Sequence, residues 1–588
     1  MNIFHANISD NVFDFFKKNL NWIFDFQEVN QSLLNVCGIR NFFENQEDFE
    51  ALKEFVLKNA NLLKEPDRTE YGDFQTNSDL AEKVAIFLKE NLAKPQIIVE
   101  PTCGKGAFIL AALKTFKKVE KIYAVEIYKP YVWETKFSIL HHFLENPTVE
   151  KPEIAIFHKN VFDFDFKSIA CENSSKKILI IGNPPWVTNS KLSVLESTNL
   201  PTKSNFKNAS GIEAITGKGN FDIGEYITLM MLEAFQNSQG KLAFLVKNSV
   251  IKNIVSDQKQ RNFRISDLQK HSIDSKREFN VSVEASLFTC DLNGVSEYDC
   301  EEFDFYKNSV LLNRFGWVGA KFVSDIDHYE STNAIDGICQ FEWRQGVKHD
   351  CSAIMEFDRV NGHFKNGRDE EFSLEEDLVF GLLKSSDLKS PVINKTRKFT
   401  IITQRKTGQE TKTIESNFPK TFSYLSSNKE QFEARKSSIY KNKPPFSIFG
   451  IGDYSFKSFK VSISGLYKTF DFKLVLPQNG KPVMLDDTCY FLGFDKLEHA
   501  VFTAILLNSE TSKHFLQSIT FPDAKRTFTK DVLMRIDLLK LASSLTESAL
   551  RQELDRFSQN ENIHVDFDEW HKFLKVLMPD EVEQMGIF

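Results

Sequence analysis

The sequence lacks paired cysteines, long apolar runs and an excess of positive charge. Its eight cysteines are scattered without a C-x-x-C pair, which predicts free thiols and neither a disulfide framework nor a metal site. No apolar run approaches the roughly 18 residues that a membrane helix needs. The N-terminus (MNIFHANISDNVFDFFKK) has no basic start, no continuous apolar stretch and no small-residue cleavage site. These absences predict a cytoplasmic protein without membrane contact.

The charge balance is mildly unfavourable for a nucleic-acid substrate. The chain carries 73 basic and 81 acidic residues, a net charge of −8, whereas proteins that bind phosphates are usually basic. The basic residues do cluster, however, because residues 389–443 contain 13 Lys and Arg against 4 Asp and Glu. This cluster is compatible with a nucleic-acid surface, although a lysine-rich face in contact with solvent would give the same pattern.

With 588 residues, the chain is too long for one hydrophobic core and predicts several domains. The first 70 residues have apolar positions at three- and four-residue spacing, which is typical of helices. Five short apolar runs then alternate with helix-like stretches and predict a doubly wound, parallel α/β sheet. The runs are residues 96–100 (QIIVE), 121–126 (KIYAVE), 154–158, 178–181 (ILII) and 241–246 (KLAFLV).

The alternation stops after about residue 300. We predict four segments: an N-terminal helical segment at 1–70, an α/β domain at 71–300, a mixed α+β domain at 301–530 and a C-terminal helical segment at 531–588.

A glycine-containing turn follows the first apolar run, in residues 97–108 (IIVEPTCGKGAF). Gly104 and Gly106 let the backbone approach a ligand, but the turn has neither the G-K-S/T of a phosphate loop nor a full G-x-G-x-x-G. The next run ends in Glu126, 20 residues after Gly106, where an acid suits two ribose hydroxyls. A tight turn and a helix cap would explain each feature alone. Together they predict a nucleoside ligand without a pyrophosphate, such as S-adenosylmethionine.

Two further motifs follow the third and fourth runs. In residues 160–166 (NVFDFDF), Asp163 can accept a hydrogen bond from an adenine amino group and Phe164 can stack on the ring, although an alternating strand would look the same. In residues 182–186 (GNPPW), two prolines stiffen the loop and remove two amide donors. The Asn183 side-chain oxygen and the Pro184 carbonyl are left as acceptors, and N-P-P-aromatic after an apolar strand is a highly specific motif.

In this order the motifs resemble the N-P-P-[YFW] amino-methyltransferases, and specifically the gamma-class N6-adenine DNA methyltransferases of restriction–modification systems. Residues 71–84 (YGDFQTNSDLAEKV) resemble the helix start that holds the cofactor's methionine end, with Thr76 at the matching position. Residues 281–292 (VSVEASLFTCDL) resemble the strand whose aromatic contacts the target base, and Phe288 takes that place. The family's adenine enzymes more often carry Tyr or Phe where Trp186 stands.

The resemblance implies a Rossmann-like, S-adenosylmethionine-dependent methyltransferase that flips adenine out of double-stranded DNA. The catalytic residues would be Asn183, Pro184, Pro185 and Trp186, with Trp186 and Phe288 stacking on the base. The cofactor-binding residues would be Thr76, Glu100, Pro101, Gly104, Gly106, Glu126, Ile127, Asp163 and Phe164. We expect a monomer with a cognate restriction endonuclease as partner.

The third segment is expected to be a target-recognition domain. Its expected DNA-binding residues are Arg397, Lys398, Arg405, Lys406, Arg435 and Lys436. Residues 343–350 and 446–464 also resemble target-recognition regions. His349 beside Asp350 is interpreted as a surface or core histidine, because no nucleophile accompanies it.

Other functions stay open at this point. N-P-P loops also serve methylation of cytosine N4 in DNA, guanine N2 in RNA and a glutamine amide in protein. A DNA-binding specificity subunit with a degenerate methyltransferase domain is an alternative of another class. Asp471 and Lys473 with Asp453 faintly resemble a nuclease site, a spacing that is common by chance.

Overall fold

The computed structural model describes residues 8–20, 25–58, 72–91, 93–188, 222–307, 310–360, 362–521 and 526–578. The chain divides into two compact units, Met1–Phe322 and Val323–Phe588. Within the described ranges, every helix is too short or too polar for a membrane crossing.

The first unit is an α/β unit built on one large sheet. Its helices are α1 (Asp10–Asn19), α2 (Phe26–Cys37), α3 (Gln46–Lys58), α4 (Ser78–Glu90), α5 (Ala107–Thr115), α6 (Lys129–Glu145), α7 (Phe166–Glu172), α8 (Ile223–Phe235), α9 (Asn248–Arg261) and α10 (Ser275–Phe279). Its strands are β1 (Ile39–Arg40), β2 (Ile97–Glu100), β3 (Lys121–Glu126), β4 (Glu153–His158), β5 (Ile178–Gly182), β6 (Gly240–Lys247), β7 (Ile265–Ser272), β8 (Ala285–Leu292), β9 (Asp299–Asp304), β10 (Leu311–Val318) and β11 (Lys321–Val323).

The order of these strands in the sheet is β1-β4-β3-β2-β5-β6-β8-β7-β9-β10-β11. Strands β1 to β6 are parallel, and β8 runs antiparallel between β6 and β7. The order reverses between β2 and β5, so the crevice beyond their carboxyl ends is where a sheet of this kind binds its ligand. The predicted Rossmann-like sheet is confirmed, including all five predicted strands.

The N-terminal helices are part of the first unit's core. Phe16 of α1, Leu33 of α2 and Phe49 of α3 lie in the same buried cluster as Trp133 of α6. The described residues of the N-terminal segment are therefore largely helical, as predicted, whereas residues 59–71, including Tyr71 of the expected cofactor segment, lie outside the described ranges.

The second unit is mixed α+β, as predicted. Its helices are α11 (Ile326–Thr332), α12 (Ser352–Met355), α13 (Thr413–Asn417), α14 (Pro419–Ser427), α15 (Lys429–Glu433), α16 (Leu497–Leu507), α17 (Glu510–Ile519), α18 (Lys530–Leu533), α19 (Leu538–Ser543), α20 (Glu547–Glu561) and α21 (Glu569–Leu577). Its strands are β12 (Arg344–Gln345), β13 (Glu356–Val360), β14 (His363–Asn366), β15 (Glu371–Phe372), β16 (Val379–Leu383), β17 (Val392–Ile393), β18 (Lys398–Ile401), β19 (Phe459–Ser464), β20 (Lys473–Val475), β21 (Met484–Leu485) and β22 (Cys489–Phe494).

These strands form two sheets. One has the order β12-β22-β19-β20-β17 and the other β15-β14-β13-β18-β16-β21. Helix α16 is almost entirely buried between the first of these sheets and the C-terminal helices. The sheet of the first unit continues beyond residue 300 through β9, β10 and β11. The division into four segments stays a prediction.

Candidate active site

The glycine turn and the acidic strand end meet at the carboxyl edge of the sheet. The Gly104 amide donates to Oε2 of Glu126 at 2.9 Å, and the Tyr128 amide donates to Oε1 of the same carboxylate at 2.7 Å. Strands β2 and β3 are adjacent and parallel, which brings both ends to one place. The carboxylate of Glu126 thus fixes the turn after β2 and the start of α6 together.

Both glycines of the turn have left-handed backbone, with φ of +52° at Gly104 and +79° at Gly106. A Cβ at Gly106 would lie 2.7 Å from Cγ2 of the buried Thr135, and a Cβ at Gly104 would lie 2.5 Å from Oε1 of Gln75. The Gln75 oxygen also accepts a hydrogen bond from the Lys105 amide at 3.0 Å. The turn therefore needs glycine for its conformation and for its close packing.

Glu100 lies at the end of β2 and is buried. Burial raises the pKa of its carboxyl well above the usual value, and the nearby charge of Glu126 raises it further. Its Oε2 atom has no hydrogen-bond partner among the described residues. A buried carboxylate oxygen without a partner is costly, and a cationic ligand would satisfy it.

Cys103 lies in the same turn and is buried. Burial raises the pKa of its thiol well above the ordinary value, and the charges of Glu100 and Glu126 raise it further. The side chain therefore stays a thiol in this environment.

The N-P-P-W loop begins directly after β5, the neighbour of β2. A Cβ at Gly182 would lie 3.6 Å from Cγ of Glu100, so the loop starts beside the glycine turn. Nδ2 of Asn183 donates to the Phe74 carbonyl at 2.8 Å and to Oγ1 of Thr76 at 3.2 Å. Oδ1 of Asn183 is buried and has no hydrogen-bond partner within the described ranges. The loop thus presents an acceptor oxygen whose orientation is set by two contacts on the amide nitrogen.

The two prolines lie between Asn183 and the tryptophan, with Pro184 buried and Pro185 partly buried. The Pro185 carbonyl faces the start of α8, where a Cβ at Gly224 would lie 3.4 Å from its oxygen. The first turn of α8 therefore packs closely against the loop.

Trp186 packs in an aromatic cluster. Its ring centroid lies 5.6 Å from that of Phe74 and 4.8 Å from that of Phe279, the last residue of α10. Its Nε1 donates to the Leu245 carbonyl at 3.3 Å. Only 6% of Trp186 is exposed, so the ring is held firmly beside the loop.

The expected partner of Trp186 in base stacking, Phe288, is not in this cluster. Phe288 lies in the middle of β8 opposite Phe244 and is fully buried in the sheet. A side chain without exposed surface cannot contact a base unless the sheet opens. The prediction for Phe288 is therefore corrected, and the aromatic that the structure places beside Trp186 is Phe279.

The residues after β4 lie at the same edge of the sheet as Glu126, because β3 and β4 are parallel neighbours. Asp163 ends a short 3-10 helix and is exposed, and Phe164 packs between Phe157 and Phe166 at centroid distances of 4.9 and 4.8 Å. A ligand bound along this edge would thus find an exposed carboxylate at Asp163.

The two remaining expected cofactor residues adjoin the acidic strand ends. Pro101 is buried directly after Glu100, and the Ile127 carbonyl lies 3.1 Å from Nε2 of His158. The structure thus brings the expected cofactor residues to one edge of the sheet and places Thr76 against Asn183.

The basic residues of the second unit differ in their surroundings. Arg397 and Lys406 are well exposed and pair with single carboxylates, those of Asp387 and Asp453. Lys398 pairs with Asp358 at 2.5 Å.

Arg405 is exposed, with its guanidinium 4.0 Å from the ring centroid of Phe456, and Lys436 is exposed. Arg435 instead donates to the carbonyls of Phe432, His349 and Ser447, and it lies 3.6 Å from the ring centroid of Tyr440. These contacts give Arg435 a structural role.

His349 is a core histidine. Burial lowers its pKa to about 4, and its Nδ1 accepts a hydrogen bond from the Cys351 amide at 3.1 Å. Across the described residues, no three His, Cys, Asp or Glu side chains come together in a way that could hold a metal ion.

The chain is similar to known proteins. A family model described as N-6 DNA methylase matches residues 45–273. The type II methyltransferase M.NspV of Nostoc sp. (strain ATCC 29411 / PCC 7524) is 39% identical over 480 residues, which cover 81% of this chain and 98% of that relative.

Among solved structures, the type IIL restriction–modification enzyme MmeI in complex with DNA aligns with a TM-score of 0.51 and 12% identity, over 99% of this chain and 92% of that one. At this identity the likeness to MmeI shows the fold alone.

Proposed function

We propose that the chain, which belongs to the N-6 DNA methylase family and is similar to a type II methyltransferase over most of its length, transfers a methyl group from S-adenosylmethionine to N6 of adenine in double-stranded DNA. The observation that carries this proposal is the buried Oδ1 of Asn183, which has no hydrogen-bond partner in the described part of the chain and lies on a diproline loop beside the glycine turn. The predicted loop supplies the acceptor that an exocyclic amine needs.

The adenine amino group is a weak nucleophile because its lone pair is delocalised into the ring. Oδ1 of Asn183 and the Pro184 carbonyl would accept its two hydrogens, which favours a tetrahedral nitrogen with a localised lone pair. Positioning of this kind supplies several kcal/mol, and acceptors that are oriented in advance add about 3 kcal/mol.

The cofactor fits the residues at the carboxyl edge. S-adenosylmethionine supplies an electrophilic methyl group on a positively charged sulfur. The buried carboxyl of Glu100, with its Oε2 lacking a partner among the described residues, suits the cationic part of this molecule. Glu126, at the end of the next strand, is proposed to contact the ribose hydroxyls. Ile127, Asp163 and Phe164 are proposed to hold the adenine of the cofactor.

A base inside a duplex cannot reach this loop, so the target adenine must be flipped out. We assign stacking on the flipped base to Trp186 and contact with it to Phe279, which replaces Phe288 in this role. Stacking is worth about 1–3 kcal/mol per base, which offsets part of the cost of leaving the helix.

DNA reading is assigned to the second unit. The exposed cations Arg397, Arg405, Lys406 and Lys436 are proposed to contact phosphates or base edges. The chain is proposed to act as a monomer beside a cognate restriction endonuclease.

The reaction is tested by incubating the purified chain with S-adenosylmethionine and either genomic DNA or total RNA, followed by mass spectrometry of the nucleosides. We expect N6-methyladenine in DNA. N4-methylcytosine in DNA or N2-methylguanine in RNA would redirect the assignment to those amines. Absence of cofactor binding in calorimetry would favour the specificity-subunit alternative.

The loop mechanism is tested by Asn183→Ala, which removes the acceptor oxygen. We expect kcat to fall at least about 10²-fold, as for loss of a transition-state hydrogen bond, with cofactor affinity retained. Asn146→Ala, at an exposed asparagine that bonds the His142 carbonyl, is the matched control and should retain turnover. Near-normal turnover of Asn183→Ala would contradict the mechanism.

A further inference from the structure

Residues 72–76, which we call the strap, contact both halves of the candidate site. On one side, the Gly72 carbonyl accepts from the Trp186 amide at 3.1 Å and the Phe74 carbonyl accepts from Asn183. On the other side, Oε1 of Gln75 accepts from the Lys105 amide in the glycine turn. One five-residue segment therefore joins the turn after β2 to the loop after β5.

The strap determines which atom Asn183 presents. A primary amide has two N–H donors, and the Phe74 carbonyl and the Thr76 hydroxyl oxygen are both within hydrogen-bond distance of its nitrogen. Rotation of the amide by 180° would set its oxygen against the Phe74 carbonyl, which has no hydrogen to donate. With both contacts in place, Oδ1 is the atom left for an amine.

The other end of the strap lies over the glycine turn. A Cβ built on Gly104 would lie 2.5 Å from Oε1 of Gln75. The Gln75 amide therefore packs directly against the Cα of this glycine. The amide nitrogen of Gln75 is held in turn by Asp73. A ligand that approaches Gly104 must therefore contact Gln75 or move it, and Thr76 is the next residue along the chain.

We propose that the strap couples the cofactor turn to the catalytic loop, with Thr76 as a positioning residue for Asn183 and Gln75 as the contact that responds to the cofactor. This inference rests on the proposed function. It assigns Thr76 an effect on the methyl-transfer step, whereas a residue that only holds the cofactor would change cofactor affinity.

The role of Thr76 is tested with Thr76→Val, which keeps the branched shape and removes the hydroxyl, and with Thr76→Ser, which keeps the hydroxyl. We expect Thr76→Val to lower kcat about tenfold, the effect of one lost hydrogen bond, with the affinity for S-adenosylhomocysteine changed less than about twofold. Thr76→Ser should restore most of kcat. A weaker affinity with unchanged kcat in Thr76→Val would overturn the positioning role.

The coupling is tested by calorimetry with S-adenosylhomocysteine, in the absence and presence of a duplex that carries the methylated sequence. If the strap couples the two sites, a duplex bound at the catalytic loop must change the affinity of the cofactor turn, because coupling between two sites is reciprocal. In the wild type we therefore expect the duplex to change the affinity for S-adenosylhomocysteine several-fold. Gln75→Ala should bring the two affinities together, while Gln239→Ala, at an exposed position before β6, should leave their difference intact. Equal affinities in the wild type, or an undiminished difference in Gln75→Ala, would overturn the coupling.

Failure of the strap proposal and failure of the proposed function give different results. If the chain does not methylate DNA at all, the proposed function fails. If the wild type methylates DNA and Thr76→Val matches its kcat, only the strap proposal fails.

Discussion

The two carboxylates at the carboxyl edge differ in what they contact. Glu126 accepts hydrogen bonds from two backbone amides, whereas Glu100 is buried with an oxygen that lacks a partner in the described part of the chain. A carboxylate whose oxygens both accept hydrogen bonds stabilises the fold, while a buried carboxylate oxygen without a partner destabilises it when the group is ionised. Burial of the Glu100 carboxyl therefore carries a structural cost, which the proposed contact with a cationic ligand would offset.

The cost of Glu100 predicts a pH dependence. A carboxyl whose pKa is raised on folding stabilises the fold below its ordinary pKa, and this contribution is lost as the pH rises through the raised value. Glu100→Gln stays neutral at every pH. The melting temperature of the variant should therefore exceed that of the wild type by a margin that widens from acid to alkaline pH.

The same variant should bind S-adenosylmethionine more weakly in calorimetry, because an amide cannot ionise beside the cationic ligand as the Glu100 carboxyl can. A constant difference in melting temperature across the pH range would show that Glu100 does not ionise differently in the folded chain.

Among the elements, the turn between β2 and α5 is tightly constrained by packing. Gly106→Ala would place a methyl group 2.7 Å from Cγ2 of the buried Thr135. Overpacking of a buried site costs about 1–3 kcal/mol in addition to the strain of a left-handed backbone. We expect this loss of unfolding free energy in urea.

Gly319→Ala is the control for backbone strain alone, since Gly319 has a φ of +57° and a Cβ there would meet nothing within 4 Å. Gly319→Ala should lower the free energy of unfolding by less than Gly106→Ala does. The difference between the two losses is the cost of overpacking against Thr135. Equal losses in the two variants would mean that Thr135 yields to the added methyl group.

Strand β8 explains why the target-base aromatic was misplaced. Its residues from Ala285 to Cys290 are all buried, because the strand lies inside a sheet that is covered on both faces. In a strand that is buried throughout, apolar and polar residues do not alternate. The sequence pattern therefore cannot distinguish an aromatic that faces the core from one that faces a ligand. Phe279 ends a five-residue helix before the strand. An aromatic residue at this turn was the feature of the sequence that could have indicated the residue beside Trp186.

At the scale of the whole molecule, the parallel part of the first unit's sheet was predictable because parallel strands are continuous apolar runs. For the second unit the mixed α+β class was predictable but the strand pairing was not. Its described strands have two to six residues, and some pair across long separations, as Arg344 does with Phe491. The contacts of Gln75 with the glycine turn could not be predicted from the sequence either, because they depend on how the strap lies between that turn and the N-P-P-W loop.

The exposed cations of the second unit predict a salt dependence of DNA binding. Each cation that contacts a phosphate contributes about one unit to the slope of log K against log salt. Arg397→Gln and Lys406→Gln should each lower this slope by about one, measured by fluorescence anisotropy with a labelled duplex.

Lys167→Gln, at an exposed lysine of the first unit that pairs with Glu233, is the control and should leave the slope unchanged. Unchanged slopes in all three variants would remove Arg397 and Lys406 from the DNA-binding surface.

Under the proposed function, the burial of Cys103 has a chemical consequence, because S-adenosylmethionine is an alkylating agent. A thiolate beside a sulfonium methyl group would compete with the substrate and become irreversibly S-methylated, since the thiolate is the nucleophilic form of cysteine. Burial above all, together with the acidic neighbours Glu100 and Glu126, keeps the proton of Cys103 in place. The surroundings proposed to receive a cationic donor would thereby also protect this thiol from methylation.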